Sequence, residues 1–315
     1  MRRIYFLVFL FSILFSCKSK QEAPSGLPNE GFINVPGGSV WYRISGADKP
    51  GIPLLLVHGG PGAPHDYLDT LATLGMNRPV VFYDQLGCGN SDKPSDTSLW
   101  NIARFVEELD QVRTALNLQK VHIMGQSWGA MLAVEYILRK NPQGVISLTL
   151  SGPLLSSPRW IADQQAWLLE CPQSVQDTIS KYEALGVFTS QSYQDAMTYY
   201  YNLHLCRLNP WPACLNRAFE KMGKEVYAYM WGPSEFTCTG TLKNADLTGR
   251  LGQLHIPTLF TCGQYDEAPY QTINYFQSLV PGSEICVFPD ASHSHHLEQP
   301  VLFVSVLSAF LQKNE

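Results

Sequence analysis

The sequence predicts an α/β protein, with a mostly parallel sheet, helices on both faces and a helical lid inserted part-way along the chain. Three observations carry this. Short, continuously apolar runs alternate with longer stretches of helical periodicity. Those runs do not alternate apolar with polar residues, as expected of strands covered on both faces. The alternation then stops after Gly152 and resumes near Ile256, with an aromatic-rich, helically patterned segment between.

The chain opens on Met1-Arg2-Arg3 and an apolar run from Ile4 to Phe15. The run is too short for a spanning helix, which needs about 20 residues, and fits the apolar part of a signal peptide. Leu14-Phe15-Ser16-Cys17 ends it, with polar Lys18-Ser19-Lys20 following. This resembles a bacterial lipobox, in which the cysteine carries lipid and becomes the first mature residue. The resemblance implies a signal peptide over 1–16, a tether over 17–30, and export to a bacterial membrane anchored through lipid on Cys17. An ordinary cleaved signal and an uncleaved anchor are the alternatives.

Strands are expected at 39–44, 53–58, 79–83, 121–125, 146–151, 258–263 and 284–288, and helices at 101–118, 131–139 and 301–311. The first of these helices has Phe105, Leu109, Val112 and Leu116 at helical spacing. The core is assigned to 31–152 and 241–315, and the lid to 153–240. The lid is rich in aromatics such as Trp160, Tyr201 and Tyr227.

Charged residues make up 16% of the 315, net charge is −5, and no basic block follows residue 20. That excludes the electrostatic footprint of a nucleic-acid binder. Cysteine and histidine show no zinc-finger spacing, and no metal or cofactor is expected. Eight cysteines leave seven if Cys17 is lipidated. An exported protein can form disulfides, and Cys206 with Cys214 is then the most plausible local pair; buried thiols account for their scattered positions equally well.

The chemistry begins at Gly125-Gln126-Ser127-Trp128-Gly129, between the apolar strand VHIM and the helical GAMLAVEYIL. A nucleophile on a strained strand-to-helix turn needs neighbours two residues away without side chains, and the helix N-terminus then faces the developing oxyanion. This predicts the α/β-hydrolase fold. His58-Gly59-Gly60-Pro61-Gly62 follows another strand, and the Gly60 and Trp128 amides are assigned to the oxyanion hole. The fold orders its triad as nucleophile, acid, base. Asp266, just past the strand TLFTCG, is the expected acid, and His293, first after EICVFPD, the base. Asp84 precedes the serine, Asp290 is a rival, His58 reads as structural, and His295 and His296 read as structural or exposed. Ser127 would attack a carbonyl, His293 would move its proton, and Asp266 would orient the imidazole. Serine, where a dehalogenase or epoxide hydrolase of this fold carries aspartate, argues for acyl transfer to water.

Together HGGPG with HDYL, YDQLGCGNSD, GQSWGA, HLCRLNPWP, VYAYMWGPSEF and GQYDE resemble the proline iminopeptidase family, in the branch that includes the tricorn-interacting aminopeptidase. The resemblance runs from about Gly31 to the C-terminus. It implies a serine aminopeptidase removing N-terminal proline from short peptides with a free N-terminus, using Ser127, Asp266 and His293. It also implies that Glu235 in GPSEF and Glu267 in YDE hold the substrate's amino group. Two carboxylates suit proline's secondary ammonium, which has two N–H donors. The residues alone favour Glu235 as a cap or salt bridge of the lid and Glu267 as a solvated loop acid. They likewise leave Trp128 and the lid aromatics between packing on a pyrrolidine ring and filling the core. The alternatives are an esterase, lactonase or amino-acid amidase of the same fold, and a non-catalytic binding lipoprotein, against which the intact triad speaks.

Overall fold

The computed structural model describes residues 28–315; Cys17 and the apolar run before it lie outside them. Eight strands form one sheet: β1 (Glu30–Val35), β2 (Gly38–Ser45), β3 (Leu54–Val57), β4 (Val80–Tyr83), β5 (Val121–Gln126), β6 (Val145–Ser151), β7 (Thr258–Gly263) and β8 (Glu284–Phe288). Their order is β1-β2-β4-β3-β5-β6-β7-β8. The β1–β2 and β2–β4 pairings are antiparallel, and β3 to β8 run parallel. Every residue of β3, β4, β5 and β7 is buried, so these strands are the continuous apolar runs. The expected strands all form.

The strand that sequence reading missed is β1. Its residues alternate between exposed and buried, and Phe32 is 63% exposed. A half-covered edge strand lacks the apolar run by which the others were found.

Helices α1 (Ile102–Ala115) and α2 (Trp128–Lys140) pack against each other and fill the core with Phe105, Leu109, Val112, Met131 and Tyr136. The Asn101 side chain caps α1 by accepting from the Arg104 amide at 3.0 Å. The lid follows β6 as α3 (Ser157–Glu170), α4 (Gln173–Leu185), α5 (Gln191–His204), α6 (Ala213–Glu220) and α7 (Lys224–Met230). Its own small core gathers Leu168, Ile179, Tyr193, Met197, Tyr200 and Phe236. The chain returns through β7 to α8 (Tyr270–Ser278), then β8, α9 (His295–Glu298) and α10 (Pro300–Lys313).

The lid is tied to the sheet side by charge and backbone. Asp66 accepts from Lys221 at 3.1 Å and from Arg217 at 3.3 Å. The Gly223 amide donates to Gly62 O at 2.9 Å. Gly62 has φ +88°, and a Cβ there would stand 2.8 Å from Gly223 O, so the last glycine of HGGPG allows the lid to dock on that loop.

The Cys206–Cys214 disulfide does not form. All seven described cysteines are free thiols, and Cys206 and Cys214 pack as apolar groups in the cluster that holds Leu215 and Trp211. Among the described residues no helix is long and apolar enough to cross a membrane.

Candidate active site

Strand β5 ends on Gln126, and Ser127 turns the chain into α2 with φ 55° and ψ −121°. Few side-chain-bearing residues adopt that conformation. Its neighbours make it possible. A Cβ on Gly125 would meet Gly129 O, and one on Gly129 would meet Val57 O. The serine is thereby raised over the C-terminal edge of the parallel strands, where open α/β sheets place their ligands.

Two later strands deliver the other groups. Asp266 follows β7; its Oδ1 accepts from the Ala268 amide at 2.9 Å and its Oδ2 from the Gly263 amide at 3.1 Å. His293 follows β8, and its Nδ1 lies 2.7 Å from Asp266 Oδ1. Gly152, after β6, has φ +50°, and a Cβ on it would stand 2.8 Å from His293 Nδ1, so its bareness lets the imidazole seat. Burial would raise the Asp266 carboxyl, but charged His293 and the bonds from His293 and His295 outweigh it and hold the group well below the usual carboxylate range. Burial pulls His293 down, yet Asp266, Glu267 and Glu235 together push it up to about 9.

Ser127, His293, Glu235, Glu267 and Gly60 line one cavity of about 460 Å³ beneath the lid. The Gly59 amide is taken by Tyr67 Oη at 2.7 Å, while the Gly60 amide has no hydrogen-bond partner among the described residues. The Trp128 ring points elsewhere. It is fully buried, donates to Gln85 Oε1 at 2.9 Å and packs edge-on against Phe105, so it fills the core and does not line the cavity.

Glu235 comes from the lid. Tyr227 Oη donates to its Oε1 at 2.6 Å, and Trp160 Nε1 to its Oε2 at 3.4 Å. Glu267 comes from the acid loop. Its Oε2 stands 3.8 Å from His293 Nε2, and its Oε1 is buried with no partner among the described residues. Burial raises both carboxyls. For Glu235 the bonds from Tyr227 and Trp160 oppose the rise; for Glu267 the charge of Glu235 adds to it, and it lies well above the ordinary value.

The remaining candidates fall outside this cluster. Asp84 accepts from the His65 amide at 2.8 Å and lies 2.7 Å from His65 Nδ1, and Asp290 is exposed. His58 is buried, accepts from the Gln85 amide at 2.8 Å, and is lowered by burial to about 4. His295 Nε2 lies 2.9 Å from Ser151 Oγ, and His296 Nε2 lies 3.0 Å from Tyr67 O. Both are buried, so the exposed alternative fails and the structural one holds.

Sequence reading missed the residues that hold the site. On α3, Gln164 donates to Glu267 O and Trp167 to Asp266 O, each at 2.9 Å. Trp160 packs edge-on against the His293 ring at 5.6 Å between centroids. Gln126 and Tyr67 stand in the quoted GQSWG and HDYL, but nothing in their spacing says that they meet.

A nucleophile elbow at the edge of a parallel sheet, with an imidazole and a carboxylate on the loops after later strands, defines a hydrolase of the α/β-hydrolase fold. The family model described as "alpha/beta hydrolase fold" matches residues 52–300. More narrowly, the chain belongs to the proline iminopeptidase family. It is 44% identical over 283 residues to a proline iminopeptidase of Heyndrickxia coagulans, covering 90% of this chain and 98% of that one. It is 36% identical over 289 residues to one of Saccharolobus solfataricus, covering 90% and 92%. Among solved structures, a proline iminopeptidase of Mycobacterium smegmatis superposes with a TM-score of 0.84 at 32% identity, covering 90% of this chain and 98% of that chain. A Rhodococcus esterase, at 18% identity and a TM-score of 0.65, shares the fold.

Proposed function

We propose that the protein is a serine aminopeptidase that removes the N-terminal residue, preferably proline, from short peptides. The observation that carries this is the pair Glu235 and Glu267, two carboxylates with raised proton affinity facing the cavity that holds Ser127 and His293. Two buried carboxylates repel unless a cation lies between them. The ammonium of a free N-terminus is such a cation, and it sits one carbon from the carbonyl that must be attacked. The relatives named proline iminopeptidase support proline in that position.

The steps follow from the residues. Ser127 Oγ attacks the carbonyl carbon while its proton passes to His293 Nε2. Asp266 stabilises the imidazolium through Nδ1. The amides of Gly60 and Trp128 receive the oxyanion. The imidazolium then protonates the leaving amine, the C–N bond breaks, and water hydrolyses the acyl-serine by the same route. No step requires a cofactor.

Kinetics of a proline arylamide against its N-acetyl form test the reading. Hydrolysis of the free amine and rejection of the acetylated form are expected. Equal rates on both would replace the aminopeptidase with an endopeptidase or an esterase.

The Leu14-Phe15-Ser16-Cys17 motif further supports an exported enzyme held at the membrane by lipid on Cys17. Cys17→Ala should release active enzyme to the soluble fraction and abolish fatty-acid labelling. A variant that stays in the membrane, with no label on the wild type, would identify an uncleaved anchor.

A further inference from the structure

A catalytic imidazole is expected to bond its serine through Nε2, yet in this structure His293 Nε2 bonds elsewhere. Its partner is the side-chain amide of Gln126, with Nε2 of the glutamine 2.8 Å away, and among the described residues Ser127 Oγ makes no hydrogen bond. The orientation of that amide is fixed from behind. The Gly59 amide can only donate, so Tyr67 Oη accepts from it at 2.7 Å. The Tyr67 hydroxyl then donates to Gln126 Oε1 at 2.7 Å. The glutamine N–H is left to point at His293. Rotating the amide by half a turn would leave the Tyr67 proton without an acceptor. All three side chains are buried: Gln126 is 4% exposed, Tyr67 5% and His293 4%. An N–H donor aimed at Nε2 is compatible only with an imidazole that has no proton there.

We infer that Gln126 is a positioning residue that donates to the unprotonated Nε2 of His293, opposes its protonation, and yields it to Ser127 when the serine attacks. The inference rests on the triad assignment. The surroundings make such a device necessary. Asp266 lies at Nδ1, Glu267 Oε2 is 3.8 Å from Nε2, and Glu235 faces the same ring from the lid. All three favour the imidazolium. On the other sides stand His295 and His296 of α9, with His296 kept neutral by burial, the edge of Trp160, and a backbone bond from the His293 amide to His204 O. Gln126 donates to the neutral ring and works against the carboxylates.

The test is the pH dependence of Ser127 labelling by a small neutral fluorophosphonate, which needs the base but no substrate amine. In Gln126→Leu the midpoint should move up by about 0.5–1 pH unit, the effect of one lost hydrogen bond to the neutral form. Labelling at pH 7 should fall by about three- to tenfold, and the alkaline plateau should match wild type. Tyr67→Phe, which frees the amide to turn, should shift the midpoint in the same direction by less. Nitrogen NMR titration of His293 in Ser127→Ala, with and without Gln126→Leu, should give the same displacement without any catalysis. An unshifted midpoint, or a loss equal at every pH, would overturn the inference. A wild type that is not labelled at any pH would overturn the triad assignment instead.

Discussion

Glu267→Gln should lower activity and raise stability at once. Glu267 is buried, its Oε1 has no partner among the described residues, and burial together with the charge of Glu235 lifts its carboxyl well above the ordinary value. For substrate, the substitution removes one of two charges facing the ammonium. Losing one partner of a buried charge-assisted contact costs about 2–5 kcal/mol, a fall in kcat/KM of roughly thirtyfold to several thousandfold on a free-amine arylamide. Labelling of Ser127 by a neutral probe should change far less. For folding, glutamine keeps the polar atoms but removes the titratable charge beside Glu235; each pH unit by which the carboxyl is raised is worth about 1.4 kcal/mol, so Tm at pH 8 should rise by about 2 °C or more. The sign depends on pH. Glu267's folded proton affinity is raised, so between its ordinary value, about 4.3, and its folded value the native state binds a proton that the unfolded chain has released. Wild-type stability therefore falls as pH rises through that window. The gain from glutamine should appear at pH 8 and vanish at pH 4. Thermal unfolding at both values, beside the kinetics, decides the matter. A variant less stable than wild type at pH 8 would make Glu267 a structural partner of His293 and refute its role as a receptor for the amine.

Three further outcomes are expected. Ser127→Gly should abolish activity and raise the urea midpoint by the equivalent of about 1 kcal/mol, because φ 55° with ψ −121° strains any residue but glycine; a lower midpoint would mean that the elbow is not strained. With His293 raised to about 9, kcat/KM on a neutral acyl ester should climb between pH 7 and 9, and an acid limb at or below about 6.5, the ordinary histidine value, would contradict the three-carboxylate field. Gln164→Leu should lower kcat on the arylamide by roughly tenfold while leaving KM for small substrates nearly unchanged, since it frees the Glu267 carbonyl; unaltered kcat would show that the acid loop holds itself.

The sheet was legible, and a candidate triad could be named, because both rest on local signals. Buried parallel strands write themselves as apolar runs, and Ser127 is flanked by the glycines that its turn requires. Asp266 and His293 each follow a strand, so chain order together with position just past a strand end selected them. What was not legible is side-chain direction. GQSWG places Trp128 beside the nucleophile in sequence, but the helix turns its ring into the core against Phe105. Gln126 stands one residue before Ser127, yet its role depends on Tyr67, 59 positions away, and on His293, 167 positions away. The strand Glu30–Val35 was hidden because one of its faces is wet. Glu235 and Glu267 came from family resemblance and not from pattern, since a carboxylate on a lid and one on a loop carry no spacing of their own.

The lid is where the architecture becomes selective. The sheet supplies Ser127, Asp266 and His293 from three strand ends, and the esterase at 18% identity shares the fold. The lid supplies Glu235, and Tyr227 and Trp160 hold that carboxylate in place. From the same lid, α3 reaches the acid loop, with Gln164 and Trp167 bonded to two successive carbonyls, those of Glu267 and Asp266. One helix therefore helps set the position of the triad acid, the loop bearing the second carboxylate and, through Trp160, the face of the base. A lid that shifted would disturb amine recognition and base geometry together. On the proposed function, the contacts of α3 with the loop after β7 therefore tie the groups that would find a charged N-terminus to those that would attack the carbonyl one carbon away.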